Sequence, residues 1–171
     1  MMRALYLAIF DIPVMIVFCL AVSGQDRRLR EFIIVFAIAL VLTLLISALF
    51  PARTPLFHLI GPYPPYVPAT GIGFERVVNS LRSGALLELQ LHELHGILTF
   101  PSFHAASAIV FAWAGSTIRY MRWPIGSASF GMLLVTPMEG AHYFVDVTAG
   151  SFVGLGAIIF LKVLMLILRR Q

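Results

Sequence analysis

The sequence predicts an all-α protein, a polytopic membrane bundle of about five transmembrane helices that forms a single domain over residues 1–171. Of its residues, 60% are hydrophobic and 12% are charged, whereas a soluble domain carries about 25% charged residues. The apolar residues also fall in runs close to the ~20 residues that a helix needs to cross hydrocarbon. These runs lie at 4–22, 32–50, 102–118, 123–138 and 144–168.

The first two runs are both interpreted as membrane spans. Residues 4–22 contain Asp11 and Pro13 and lack a basic start and a convincing cleavage site, so we expect a retained helix rather than a signal peptide. Residues 32–50 are almost purely aliphatic. The single cysteine, Cys19, rules out an intrachain disulfide and carries no functional signal.

A long segment, residues 51–100, joins the second and third runs. Its first part is rich in proline, which fixes φ and removes a backbone donor, so we expect an irregular surface strap there. From Phe74 onward, recurring apolar residues predict short helices that lie on the membrane surface. A connection of this length in so small a protein is usually a functional loop. The prolines are Pro51, Pro55, Pro62, Pro64, Pro65 and Pro68.

The net charge of +4 follows from topology and does not indicate a nucleic-acid partner. With five spans, seven arginines fall on one face of the membrane and four on the other. Short basic loops stay cytoplasmic, so the richer face is predicted to be inside and the 51–100 loop outside. The inner set is Arg27, Arg28, Arg30, Arg119, Arg122, Arg169 and Arg170, and the outer set is Arg3, Arg53, Arg76 and Arg82.

A hairpin of the third and fourth runs would bring two distant histidines together. Each limb has roughly 16–17 residues and rises about 25 Å at 1.5 Å per residue. His104 at the start of the third run and His142 just after the fourth should therefore meet at one membrane boundary, on the face that carries the long loop.

The stretch GAHYFVDVTAG places His142 four residues before Asp146, on one side of a helix. A carboxylate that accepts a hydrogen bond from one imidazole nitrogen makes the other nitrogen a better nucleophile or base. Asp146 would be costly at the end of an apolar helix without such a partner. The alternative is a pair of interfacial polar groups that satisfy each other.

The stretch FPSFH suggests an anion site at a helix start. Pro101 suits the first turn and Ser102 is a good cap, while the free amides and the helix dipole favour an anion. His104 in the same turn could protonate a group attached to that anion; the alternative is a plain capped helix with an interfacial histidine. Together, the two stretches are the arrangement expected for phosphoryl transfer through a phosphohistidine.

These stretches, Phe100–His104 and Gly140–Asp146, resemble two signatures of the type-2 phosphatidic acid phosphatase superfamily, a Pro-Ser-x-His and a later His-x-x-x-Asp. The resemblance covers about residues 80–158. It is closest to the branch related to inositol phosphorylceramide synthases, whose members read much like HYFVD. It also includes LRSG at residues 81–84 and three glycines, Gly150, Gly154 and Gly156.

The resemblance implies a role for each site residue. His142 would attack the phosphorus, Asp146 would orient and activate it, and His104 would protonate the leaving alcohol. Ser102 and nearby amides would hold the phosphoryl oxygens. The resemblance implies neither a metal nor another cofactor.

The chain departs from the superfamily pattern in its cations and its span number. The first signature, a lysine followed by Arg-Pro, is absent, and Val135 and Thr136 stand where the third signature opens with Ser-Arg. A transferring phosphoryl group needs positive charge, so we assign Arg82 as the substitute, with Arg53 and Arg76 as weaker candidates. Superfamily members generally have six spans, and here the family's first helix is expected to be missing.

Two further features remain outside this scheme. His92 and His95, in HELH, have metal-ligand spacing on a helix, and Glu93 or His104 could complete a zinc site. We favour interfacial histidines and expect no metal. Glu139 could tune His142, but the simpler interpretation is that it ends the fourth run.

The predicted function is an integral membrane phosphatase that hydrolyses a lipid phosphate or diphosphate monoester. The alternatives are a lipid phosphotransferase that moves a phosphoryl headgroup to an alcohol, and an inactive membrane relative. The expected partners are the bilayer and a lipid phosphate substrate, and the expected location is a bacterial inner membrane with the active site on the outer side. The sequence does not indicate an oligomeric state.

Overall fold

A computed structural model of the protein describes residues 1–50, 52, 80, 83–84, 99–140 and 142–170. Within these ranges the chain forms five α-helices and no strand, which confirms the all-α class. The strap and interfacial helices predicted for 51–100 lie almost wholly outside the described residues. The helices are α1 (Met2–Val22), α2 (Asp26–Leu49), α3 (Phe103–Gly115), α4 (Arg122–Glu139) and α5 (Phe144–Leu168).

Three helices, α1, α2 and α5, are long and apolar enough to cross a membrane. Helix α3 is apolar but has only 13 residues, which at 1.5 Å per residue rise about 20 Å. It was predicted to run over 102–118, but it ends at Gly115. Beyond that point the hydroxyls of Ser116 and Thr117 donate to the carbonyls of Trp113 and Ala114, at 2.7 and 3.3 Å, and so satisfy groups at the helix end.

Helix α2 begins six residues earlier than its apolar run, at Asp26. Asp26 lies in the first turn, where the helix dipole favours negative charge, and Arg27 forms an i,i+4 ion pair with Glu31 at 2.9 Å. Arg28 lies 3.6 Å from the centroid of the Trp113 ring and donates to the Trp113 carbonyl. The charged residues that precede the apolar run are therefore helical, and Arg28 links the start of α2 to the end of α3.

The bundle is apolar outside and partly polar inside. Large side chains such as Phe10, Phe18 and Phe152 are more than 60% exposed, as expected of surfaces that face lipid rather than water. The interior holds a set of buried polar groups, and a polar group in hydrocarbon persists only where it has a partner or a use. These groups are Thr43, Ser47, Thr99, Ser102, Ser107, Ser129, Thr136, Glu139, His142 and Asp146.

Helix α3 is central, because it contacts all four other helices and packs most extensively on α4 and α5. Its approach to α5 is very close. A Cβ built on Gly150 would lie 2.1 Å from the carbonyl oxygen of Ser102, and one built on Gly154 would lie 2.5 Å from that of Ala106. Small residues one turn apart let helix backbones approach in this way. The close approach sets the first turns of α3 and α5 side by side.

We predict that Gly150→Ala destabilises the protein, because its methyl group would push α5 away from the Ser102 backbone. Overpacking of this kind costs about 1–3 kcal/mol. The matched control is Gly156→Ala on the same helix, where a Cβ meets nothing within 4 Å. Thermal unfolding in detergent should show a lower Tm for Gly150→Ala and an unchanged or higher Tm for Gly156→Ala. Equal Tm values for the two variants would contradict the close packing.

Candidate active site

One end of the bundle, where α3 and α5 begin and α4 ends, holds four of the predicted site residues: Ser102, His104, His142 and Asp146. The backbone N–H of Ser102 donates to the carbonyl of Asp146 at 3.0 Å. This hydrogen bond joins two segments that are 44 residues apart in the chain. It places the FPSFH stretch directly against the stretch that carries His142.

His142 and Asp146 face each other, although not on one helix as predicted. Helix α5 begins at Phe144, so His142 precedes it and is held by its backbone N–H, which donates to Pro137 at 3.2 Å. The Nδ1 atom of His142 lies 3.6 Å from Oδ2 of Asp146, with side chains that are only 5% and 2% exposed. This separation is slightly longer than a hydrogen bond, and contacts of this kind often tighten when a substrate binds.

Asp146 has a second contact that fixes its position. Its Oδ2 atom accepts a hydrogen bond from the backbone N–H of Tyr143 at 2.8 Å, as the acidic member of a capping box at the start of α5. One carboxylate oxygen of Asp146 therefore caps the helix and faces the imidazole of His142. The Asp146 side chain thus has two roles. It fixes the start of α5, next to His142, and it provides the carboxylate that faces the His142 imidazole.

Ser102 is the N-cap of α3, as the sequence predicted, and is completely buried. Its hydroxyl accepts a hydrogen bond from the Ala105 N–H at 3.4 Å. Pro101 precedes this cap and so lies outside the first turn where it was expected. The Ser102 N–H is committed to Asp146, so an anion here would meet the hydroxyl proton and the first amides of α3 instead.

His104 stacks on Tyr6, a residue that the sequence did not indicate. The ring centroids are 3.9 Å apart and the planes differ by 10°. The Nε2 atom of His104 is buried and has no hydrogen-bond partner among the described residues. His104 and His142 are also close enough to interact electrostatically. The structure thus brings His104, His142 and Asp146 together and adds Tyr6 to them.

Gly140 and Glu139 complete this end of the bundle. A Cβ on Gly140 would lie 2.6 Å from Cδ2 of His142 and 3.0 Å from Cε2 of Tyr6, so the ring edges of both residues meet at this glycine. Glu139 is completely buried and acts electrostatically on the Tyr6 phenol. Glu139 is the last residue of α4, as the sequence predicted, and it also lies beside the site.

Several candidate residues lie outside the described residues. They include Arg82, the assigned phosphate ligand, so its place relative to the histidines stays a prediction. In the part of the chain that the structure describes, no three His, Cys, Asp or Glu side chains are grouped closely enough to hold a metal ion. The remaining candidates outside the described ranges are Arg53, Arg76, His92, Glu93 and His95.

Comparison with protein families gives a direct assignment. The sequence model of the PAP2 superfamily matches residues 1–160. The chain is a member of the PAP2 superfamily. The match extends beyond the motif region at 80–158 and includes α1 and α2. No curated protein and no solved structure matches the chain.

PAP2 membership supports phosphatase-type chemistry in general, because the superfamily generally contains phosphatases and related phosphotransferases. The assignment agrees with the superfamily named from the two stretches, whereas the branch remains a prediction. The arrangement of His104, His142 and Asp146 at one end of the bundle is therefore the candidate active site of a PAP2 protein.

We predict that two substitutions at Asp146 separate its two contacts. Asp146→Asn keeps an oxygen for the Tyr143 N–H and should keep the Tm, whereas Asp146→Ala loses the cap and about 1 kcal/mol of stability. Both variants should lose activity by roughly 10²–10⁴-fold, because neither provides a charged partner for His142. Thermal unfolding and phosphate release measured on the same samples check both statements. An active Asp146→Asn variant would contradict the assigned pairing.

Proposed function

We propose that the protein is an integral membrane phosphatase that hydrolyses a lipid phosphate or diphosphate monoester through a phosphohistidine, without a metal. One observation carries this proposal. A buried imidazole, His142, has one ring nitrogen facing the buried carboxylate of Asp146. With Nδ1 turned to the carboxylate, Nε2 is the nitrogen that can act as the nucleophile.

The reaction proceeds in two steps. In the first, Nε2 of His142 forms a bond to phosphorus, the bond from phosphorus to the ester oxygen breaks, and that oxygen takes a proton from His104. In the second, His104 removes a proton from water, the oxygen of this water attacks phosphorus, and the N–P bond breaks to release phosphate. Asp146 stabilises the positive charge that His142 gains in the first step.

The phosphoryl oxygens would be held by the hydroxyl of Ser102 and the first amides of α3, where the helix dipole favours negative charge. These groups are dipoles rather than full charges. A phosphoryl group in transfer needs more positive charge than they supply, and we assign Arg82 to this role. It is the arginine of the LRSG segment, closest in sequence to the FPSFH stretch among the outer arginines.

A lipid phosphotransferase is the second candidate. In this reaction the phosphohistidine would react with an alcohol in place of water. An alcohol acceptor bound at the site would then receive the phosphoryl-linked headgroup. The resemblance to the branch related to inositol phosphorylceramide synthases points to this candidate.

We propose a location in a bacterial inner membrane, and the distribution of arginines supports an orientation with the site on the outer side. Arginines cluster at the ends of helices opposite the site, near the starts of α2 and α4 and the end of α5. Basic segments of this kind stay in the cytoplasm. A lipid phosphate would then reach the site from the outer leaflet.

We predict that purified protein in detergent releases phosphate from one or more members of a panel of lipid phosphates and diphosphates with a chelator present. His142→Ala should abolish release, because no nucleophile remains, and Arg82→Ala should reduce it strongly. The matched control is Thr148→Ala in α5, whose exposed hydroxyl donates to the carbonyl of Phe144 in its own helix. A denaturing quench with ³²P-labelled substrate should trap label on wild type and Thr148→Ala, but not on His142→Ala.

The acceptor is identified by adding alcohols to the same assay. Transfer to an added alcohol, without phosphate release, would replace the phosphatase with the phosphotransferase. Release that stops on chelation would contradict the metal-free mechanism. Neither release nor label on any substrate, with or without alcohols, would identify an inactive relative.

A further inference from the structure

The stacking of Tyr6 on His104 joins two residues 98 positions apart in the sequence. The near-parallel rings, 3.9 Å apart and 10° from coplanar, restrict rotation of the imidazole about its side-chain bonds. Tyr6 is itself fixed, because it is only 6% exposed and its ring edge meets Gly140. The described residues provide no hydrogen bond to Nε2 that would orient the imidazole in its place.

We propose that Tyr6 is a positioning residue for His104, and that its phenol ring holds the imidazole in the orientation from which it protonates the leaving oxygen. This inference rests on the proposed function. Proton transfer needs heavy atoms within about 2.6–3.2 Å, and a displacement of about 1 Å can cost roughly 10²-fold in rate. A rotating imidazole would lose that alignment, whereas a stacked one keeps it.

The leaving group of the substrate distinguishes positioning from a purely structural role. The leaving group of an alkyl phosphate is a basic alkoxide, which needs the proton from His104. The leaving group of 4-nitrophenyl phosphate is a stable phenolate, which needs little assistance from an acid. In the step that forms the phosphohistidine, a residue that acts through His104 therefore affects the alkyl substrate alone, whereas a residue needed only for folding affects both.

The experiment compares kcat/KM, which in a two-step mechanism reports only the steps up to release of the leaving group, for an alkyl lipid phosphate and for 4-nitrophenyl phosphate in wild type, Tyr6→Leu, Tyr6→Phe and His104→Gln. Tyr6→Leu should lose about 10–100-fold on the alkyl substrate and less than about 3-fold on the aryl substrate, in the direction expected for impaired general acid catalysis. Tyr6→Phe retains the stacked ring and should stay close to wild type on both. His104→Gln should show the same selective loss as Tyr6→Leu, and a larger one. Phe10→Leu, an exposed aromatic on the same helix, is the matched control.

The outcomes separate the inference from the proposed function. A Tyr6→Leu variant that loses both activities equally, or neither, overturns positioning while wild-type activity and its loss in His142→Ala leave the function standing. A Tyr6→Phe variant that is as impaired as Tyr6→Leu overturns the stacking role. A wild type inactive on both substrates overturns the proposed function, and the inference with it.

A separate observation at the opposite end of the bundle supports a second inference, which is independent of the reaction. Three cationic residues, Arg27, Lys162 and Arg169, line one cavity of about 220 Å³ together with Met165 and Leu166. Arg27 comes from the start of α2, and the others come from the end of α5. Helix α5 has 25 residues and rises about 37 Å, which separates this cavity from His142.

Two of the three cationic residues in this cavity have no ion-pair partner among the described residues. Arg27 pairs with Glu31 at 2.9 Å, but neither Lys162 nor Arg169 has an ion pair within the described ranges. Lys162 lies six residues before the last residue of α5, or about 9 Å along the helix. The side chain of Lys162 is exposed and, at that distance from the helix end, is long enough to extend along α5 toward the membrane boundary, where Arg169 lies. Its neighbours Met165 and Leu166 provide an apolar wall beside the charges.

We infer that this cavity binds the phosphodiester headgroup of an anionic phospholipid. The three cationic side chains complement the negative charge of a phosphodiester. Met165 and Leu166 provide an apolar surface for the start of an acyl chain. Basic cavities between helices at a membrane boundary bind anionic headgroups in this way. Inorganic phosphate shares the charge but lacks the chain, so the two ligands are separable by experiment.

The experiment measures the Tm of the detergent-purified protein with phosphatidylglycerol, phosphatidylcholine or inorganic phosphate added. Phosphatidylglycerol should raise the wild-type Tm by a few degrees, because a ligand that binds only the folded state stabilises it, and the other two should not. The Lys162→Gln/Arg169→Gln double variant should lose this shift. Arg119→Gln/Arg122→Gln removes the same charge outside the cavity and should keep it.

Three results would overturn the lipid site. An undiminished phosphatidylglycerol shift in the Lys162→Gln/Arg169→Gln variant would place binding elsewhere, such as at the active site. An equal shift with phosphatidylcholine would show that charge is not recognised. An equal shift with inorganic phosphate would identify a simple anion site.

Discussion

The close approach of α5 to the start of α3 is the constraint on which the rest of the site depends. Gly150 lies over the carbonyl of Ser102 with no space for a side chain, and the Ser102 N–H donates to the carbonyl of Asp146 at 3.0 Å. Steric fit and a hydrogen bond therefore fix the same two segments. His104 follows Ser102 by two residues, and Asp146 belongs to the first turn of α5. The contact between α5 and the start of α3 therefore determines the position of His104 relative to the Asp146 carboxylate.

The polar interior is consistent with a site whose groups are positioned by the fold before a substrate binds. Burial of a polar atom without a partner costs free energy, and both Nε2 of His104 and Nδ1 of His142 are buried without a hydrogen bond among the described residues. Asp146, by contrast, is satisfied by the Tyr143 N–H at 2.8 Å. The carboxylate is thus fixed by the fold. Nδ1 of His142 faces this carboxylate, so Nε2 of His104 is the buried nitrogen that a substrate would satisfy.

The sequence was sufficient for features that depend on local pattern. Runs of apolar residues predicted the five helices, and the rise of the third and fourth helices predicted that His104 and His142 lie at one end. Features that depend on distant packing were not predictable. Tyr6 is one tyrosine in an apolar helix with no local motif, and the fit of Gly150 against Ser102 requires the relative position of two helices. His142 was wrongly placed on α5, because i,i+4 spacing does not show where a helix begins.

The structure also shows what surrounds Thr136, one of the two residues that differ from the third signature of the superfamily. Thr136, which stands where the superfamily carries an arginine, is completely buried, and its hydroxyl donates to the Met132 carbonyl of its own helix at 2.6 Å. A guanidinium would not fit in this space without repacking the bundle. Three residues later the chain instead buries the carboxylate of Glu139 next to Tyr6. The part of α4 beside the site, residues 133–139, carries no basic residue that could bind a phosphate. A transferring phosphoryl group needs positive charge, so in the proposed reaction this charge has to come from another part of the chain, the role for which we propose Arg82.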